Sequence, residues 1–125
     1  MVMKALVVDD SRALRAIMGR ILREIGFDVA EAADGKAALD VLAQKGPFDV
    51  ALVDWNMPVM NGLELIQAVK GDASLSSLRI LMVTTESEAT QIVTALEAGA
   101  GEYLMKPFTK EAVVDKLALL GVKYA

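Results

Sequence analysis

Hydrophobic and polar positions along the chain follow two alternating periods. Short apolar runs at residues 5–8, 50–53 and 80–83 show no polar alternation, as suits strands buried on both faces of a parallel sheet. A shorter run covers 103–105, and residues 29–32, interrupted by Glu31, read as an edge strand. Between these runs the spacing turns helical. The clearest stripe holds Leu14, Ile17, Met18, Ile21, Leu22 and Ile25, with Arg12, Arg15 and Arg23 lying off it. Ser11 suits its N-cap and Gly26 its stop. Further helices are predicted near 36–43, 63–69, 88–98 and 110–119, with Gly99 ending the fourth and Thr109 capping the fifth.

Five strand-then-helix units with short connections imply an α/β fold: a five-stranded parallel sheet, doubly wound, with right-handed crossovers and helices on both faces. Ligands in such folds bind beyond the carboxyl ends of the strands, near the switch in strand order. The 125 residues suffice for one core. At this mass the folded surface should be roughly 6,500 Å², about a third of that of the extended chain. No linker, low-complexity segment or repeat divides the sequence, so residues 1–125 read as a single domain, with Met1 as a natural start.

Composition narrows the chemistry. The chain has no cysteine and no histidine, which excludes disulfides, thiolate or imidazole metal sites, Ser-His triads and histidine bases. A net charge of −4 argues against nucleic-acid binding, which relies on clustered cations. Uncharged stretches fall well short of a membrane span, and early aspartates interrupt any signal-peptide pattern. A cytoplasmic location is expected.

The strand ends hold the informative residues. The first strand ends in Asp9-Asp10, the third in Asp54, the fourth in Thr84-Thr85 and the fifth in Lys106-Pro107. With the first strand central, beside the third and near the fourth, these side chains meet at one rim. A single aspartate after a strand is commonly a turn former or cap. Three that converge repel, each pair by about 3 kcal/mol at 5 Å and an effective dielectric near 20. Replacing Asp9 or Asp54 by alanine is therefore expected to stabilise the metal-free chain. A hard divalent ion in an oxygen-only site, with Mg²⁺ the best match, would neutralise the cluster. Mg²⁺, an ammonium and a hydroxyl around a carboxylate suit a phosphoryl group, and the carboxylate itself can be the nucleophile.

At this point the sequence resembles the receiver domains of bacterial two-component response regulators, most of all the single-domain chemotaxis regulators. The resemblance runs through Val7-Val8-Asp9-Asp10-Ser11, Asp54-Trp55-Asn56-Met57-Pro58, Asn61-Gly62, Val83-Thr84-Thr85-Glu86, Ala98-Gly99-Ala100, Tyr103 and Lys106-Pro107-Phe108, in order. It implies the flavodoxin-like strand order 2-1-3-4-5 and a phosphorylation-activated signalling switch rather than an enzyme acting on other substrates. It further implies that Asp54 accepts the phosphoryl group and that Asp10, Asp54 and the Asn56 carbonyl ligate Mg²⁺, with Asp9 holding it through water. Lys106 and Thr84 would contact the phosphoryl oxygens, and the Lys106–Pro107 bond would be cis. Thr84 and Tyr103 would form the switch pair, and Asn56, Thr85 and Glu86 would tune the approach of water. Thr85 departs from the chemotaxis type, where alanine is commoner.

The resemblance implies a histidine kinase as phosphodonor and an output face on the fourth helix, fifth strand and fifth helix around Tyr103. No output domain is expected, so the partner would be a flagellar motor switch or, for a phosphorelay shuttle, a histidine phosphotransfer protein. Two readings from other classes fit less well. A haloacid-dehalogenase-type phosphatase needs Asp-x-Asp at one strand end, whereas Asp54 is followed by Trp55-Asn56. A flavin mononucleotide binder needs a hydroxyl- and glycine-rich loop where Asp9-Asp10 would repel phosphate.

Overall fold

The computed structural model describes residues 3–85 and 91–122. Among these, β1 (Lys4–Val8), α1 (Arg12–Ile25), β2 (Asp28–Ala32), α2 (Gly35–Lys45) and β3 (Val50–Asp54) form the first half. They are followed by α3 (Gly62–Lys70), a 3₁₀ turn at Ala73–Leu75, β4 (Arg79–Thr85), α4 (Ile92–Ala98), β5 (Glu102–Lys106) and α5 (Lys110–Leu119). All strand pairs are parallel, in the order β2-β1-β3-β4-β5. The expected strand order is therefore the observed one. The surface of 6,523 Å² matches the scaling expectation.

Burial follows the apolar runs. Every residue of β3 is buried, as is β1 beyond Lys4, whereas edge strands β2 and β5 carry Asp28, Glu31, Glu102 and Lys106. The two-residue period divides the core into layers. Ala5, Val7, Leu52, Leu81, Val83 and Leu104 face α1 and α5, packing on Met18, Leu22, Val113 and Leu117. Leu6, Val8, Ala51, Val53, Ile80 and Met82 face α2, α3 and α4.

Capping explains most helix limits. Ser11 Oγ accepts the Leu14 N–H at 3.2 Å, Thr109 Oγ1 accepts the Ala112 N–H at 3.1 Å, and Gly26 and Gly99 end their helices at φ 121° and 127°. Asp34 starts α2 one residue earlier than expected by accepting the Ala37 N–H at 2.8 Å. Ile17 is a correction: placed on the buried stripe by its spacing, it is 51% exposed. The core covers Met18 and Leu22 fully and Ile21 and Ile25 in part, leaving Ile17 on the solvent side. The expected helix start at Glu88 lies outside the described residues. Strands β3, β4 and β5 each run past their apolar cores, so Asp54, Thr84 and Lys106 still belong to the ladder.

Candidate functional site

Asp9 directly follows β1 and is fully buried. Its N–H donates to the Ala32 carbonyl at 3.1 Å, and its Oδ1 accepts the Ser11 N–H at 2.8 Å. Its carbonyl accepts Arg15 Nη1 at 2.7 Å, and the Arg15 Nε is in turn held by Glu31 at 3.2 Å. Asp10, one residue on, is exposed. Asp54 closes β3 and is 6% exposed. One carboxylate oxygen from each of Asp9, Asp10 and Asp54 lies within 4.8 Å of the others. Lys106, the last residue of β5, places Nζ 3.1 Å from Asp54 Oδ1 and 3.4 Å from Asp9 Oδ2. The Lys106–Pro107 bond is cis, as expected.

Burial, aided by the negative charges of Asp9 and Asp10, raises the Asp54 pKa to about 6 against the pull of Lys106. Burial also opposes the charge on Lys106, yet its bonds and charge interactions with Asp54 and Asp9 outweigh that and hold its pKa above the ordinary lysine value. Two buried carboxylates thus share one ammonium while a third stands at the mouth. The donors are all carboxylate oxygens, and the chain has no histidine or cysteine to compete. This set fits a hard divalent cation such as Mg²⁺.

The remaining expected residues occupy the same rim or its flank. Asn56 is exposed two residues beyond Asp54. Thr84 is buried, follows the cross-strand partner of Asp54 and points its hydroxyl to the Thr85 carbonyl at 3.4 Å. Thr85 pairs with Lys106 in the β4–β5 register. Glu86 lies outside the described residues. Tyr103 pairs with Met82, two residues before Thr84, so strand alternation puts Thr84 and Tyr103 on one face. The half-buried Tyr103 ring lies beneath the Lys116 ammonium at 4.1 Å, and Lys116 also pairs with Glu102 at 3.2 Å.

Two supports were not anticipated from sequence. Arg15, seen there only as an off-stripe cation, holds the Asp9 backbone. Gly62, noted only as part of a motif, approaches the site so closely that a Cβ there would stand 2.6 Å from the Asp54 carbonyl oxygen. Its N–H donates to the Trp55 carbonyl at 3.0 Å. Only the requirement for close backbone approach could have singled out this glycine.

Comparison with known proteins agrees with this geometry. The profile of the response regulator receiver domain matches residues 5–118. The chain is 45% identical over 116 residues to the chemotaxis protein CheY of Pseudomonas aeruginosa, covering 92% of this chain and 93% of that one. It is 44% identical over 116 residues to the CheY homolog of Campylobacter jejuni, covering 92% and 89%. The chemotaxis response regulator CheY4 of Vibrio cholerae superposes with a TM-score of 0.87 at 38% identity, covering 96% of this chain and 99% of that one. Among the described residues no helix is long and apolar enough to cross a membrane. With fold, acidic rim and sequence in agreement, this chain belongs to the response regulator receiver family, as a CheY-like signalling protein and not a conventional enzyme.

Proposed function

We propose that Asp54 accepts a phosphoryl group from a phosphohistidine of a histidine kinase, and that phosphorylation changes partner binding around Tyr103, in chemotaxis. The observation that carries this reading is the buried Asp54 carboxylate, 3.1 Å from the Lys106 ammonium and grouped with Asp9 and Asp10. An Asp54 oxygen attacks phosphorus as the phosphorus–nitrogen bond breaks, and that electron pair stays on the imidazole. The product is an acyl phosphate. With a pKa of about 6, Asp54 is mainly ionised at neutral pH, so its lone pair is available. Asp10, Asp54 and the Asn56 carbonyl would hold Mg²⁺, with Asp9 acting through water. When bound, the ion would offset the negative charge of carboxylate and phosphoryl group. Lys106 and Thr84 supply the donors this chain brings to the phosphoryl oxygens.

The test uses a small-molecule phosphodonor with and without Mg²⁺. Wild type is expected to form one base-labile acyl phosphate, and Asp54→Asn none; an unchanged yield in the variant would refute the assignment. The relatives' names support chemotaxis as the pathway; on that reading the kinase and a flagellar motor switch are cytoplasmic partners. A pull-down with and without a stable phosphoryl mimic distinguishes that output from a histidine phosphotransfer protein.

A further inference from the structure

A groove of about 390 Å³ opens at the other end of the sheet from the acidic rim, between the end of α3, the start of β4 and the end of α5. Lys70 and Arg79 line it together with Ser76, Ser77, Leu119 and Leu120. No carboxylate lines it among the described residues, and there neither cation is ion-paired. The net charge of the chain is −4, which makes an acid-free pocket with two cations notable. Lys70 alone would be explained by its place at the carboxyl end of α3, where a cation offsets the helix dipole. Arg79 opens a strand and has no such reason to be there.

Side chains lying over glycines shape this pocket. The Lys70 stem crosses Gly99, where a Cβ would stand 2.6 Å from Lys70 Cγ and 2.7 Å from Cε. Leu120 seats against Gly101 in the same way, its Cδ2 2.5 Å from any Cβ there. On the far side a Cβ at Gly121 would stand 3.8 Å from Arg79 Nη2, which places the guanidinium near that glycine. Leu119, 69% exposed, adds an apolar wall. The volume lies in the range of small-molecule sites, and two cations with two hydroxyls match the oxygens of a phosphate.

We propose that this groove binds a phosphate-bearing small molecule, independently of Asp54. Arg79 and Lys70 take the anion, Ser76 and Ser77 donate hydroxyls, and the leucines cover the organic part. Arg79 and Thr85 are six residues apart on β4, so about 20 Å separates this site from the acidic rim.

Pyrophosphate and ADP, titrated without Mg²⁺ at constant ionic strength while backbone amide resonances are recorded, test the proposal. Saturable shifts are expected at Ser77, Gly99 and Gly101, unchanged in Asp54→Asn and weakened about tenfold or more in Lys70→Gln/Arg79→Gln. Tighter binding of ADP would identify an organic phosphate as the ligand, and equal binding inorganic phosphate. Absence of shifts at these amides, or shifts that persist at full affinity in a well-dispersed double variant, would overturn it. Single Arg79→Gln, on the surface and tolerant of change, repeats the test should the double variant lose its fold.

Discussion

At the scale of single residues, Asp9 and Asp54 separate two effects that the sequence treats as one. Both belong to a repelling cluster, and repulsion alone makes removal of either stabilising. Asp9, however, accepts the Ser11 N–H and Lys106 from a fully buried position. Asp9→Ala is therefore expected to lower the metal-free denaturant midpoint, by about 1–3 kcal/mol of stability. Asp54 behaves in the opposite sense. Its carboxyl titrates at 3.8 when unfolded and at about 6 when folded, so folding disfavours the ionised form. Above pH 6 that subtracts about 3 kcal/mol from metal-free stability, and the penalty fades as pH falls from 6 towards 4. Asp54→Asn should thus be more stable than wild type at pH 7 and equal to it near pH 4. Paired urea titrations across that range check the sign, and a gap that widens on acidification would contradict it. Lys106→Met should cost about 3 kcal/mol at pH 7 by leaving two carboxylates without their cation, with Mg²⁺ restoring most of the loss. The types and order of these residues were legible in the sequence. Their hydrogen bonds were not, because a turn amide such as that of Ser11 has no signature of its own.

At the scale of elements, the strand–helix alternation was legible because the inner strands are buried on both faces and their apolar runs are unbroken. Limits were harder to read where a polar residue continues the ladder. Asp54 and Lys106 end their strands as charged residues, and charge in a sequence reads as the end of a strand even when backbone pairing goes on. Ile17 shows the converse error, since spacing identifies a helix's apolar stripe without saying how much of it the sheet covers. The start of α3 carries the tightest contact on the acidic rim. Gly62→Ala would press a Cβ into the Asp54 carbonyl at 2.6 Å, backbone against backbone, where nothing flexible can yield. A loss of about 1–3 kcal/mol is expected, together with slower phosphorylation as the Asp54 peptide shifts. Gly71→Ala, whose nearest neighbour would be at 3.4 Å, is the matched control and should do neither. Thermal melts and phosphorylation rates of the two variants decide the matter.

At the scale of the whole molecule, strand alternation assigns neighbouring residues to different layers. Asp54 opens towards the rim, while Trp55 is 8% exposed and packs in the core facing α2, α3 and α4. Trp55 emission is expected to change when Mg²⁺ is added to wild type, and much less in Asp10→Asn at equal ionic strength. Identical curves would show that the indole does not sense the rim. The Tyr103 face has a different dependence. For the ring to turn, it must leave the Lys116 ammonium, which Glu102 holds in place. A half-exposed ion pair and its ring contact amount to about 1 kcal/mol together, and dissolved salt weakens both. Should the face rearrange as proposed, that pair would act as a latch whose stiffness the surrounding medium sets. A cell's internal salinity would then help decide how readily the face rearranges, before any kinase acts on the rim.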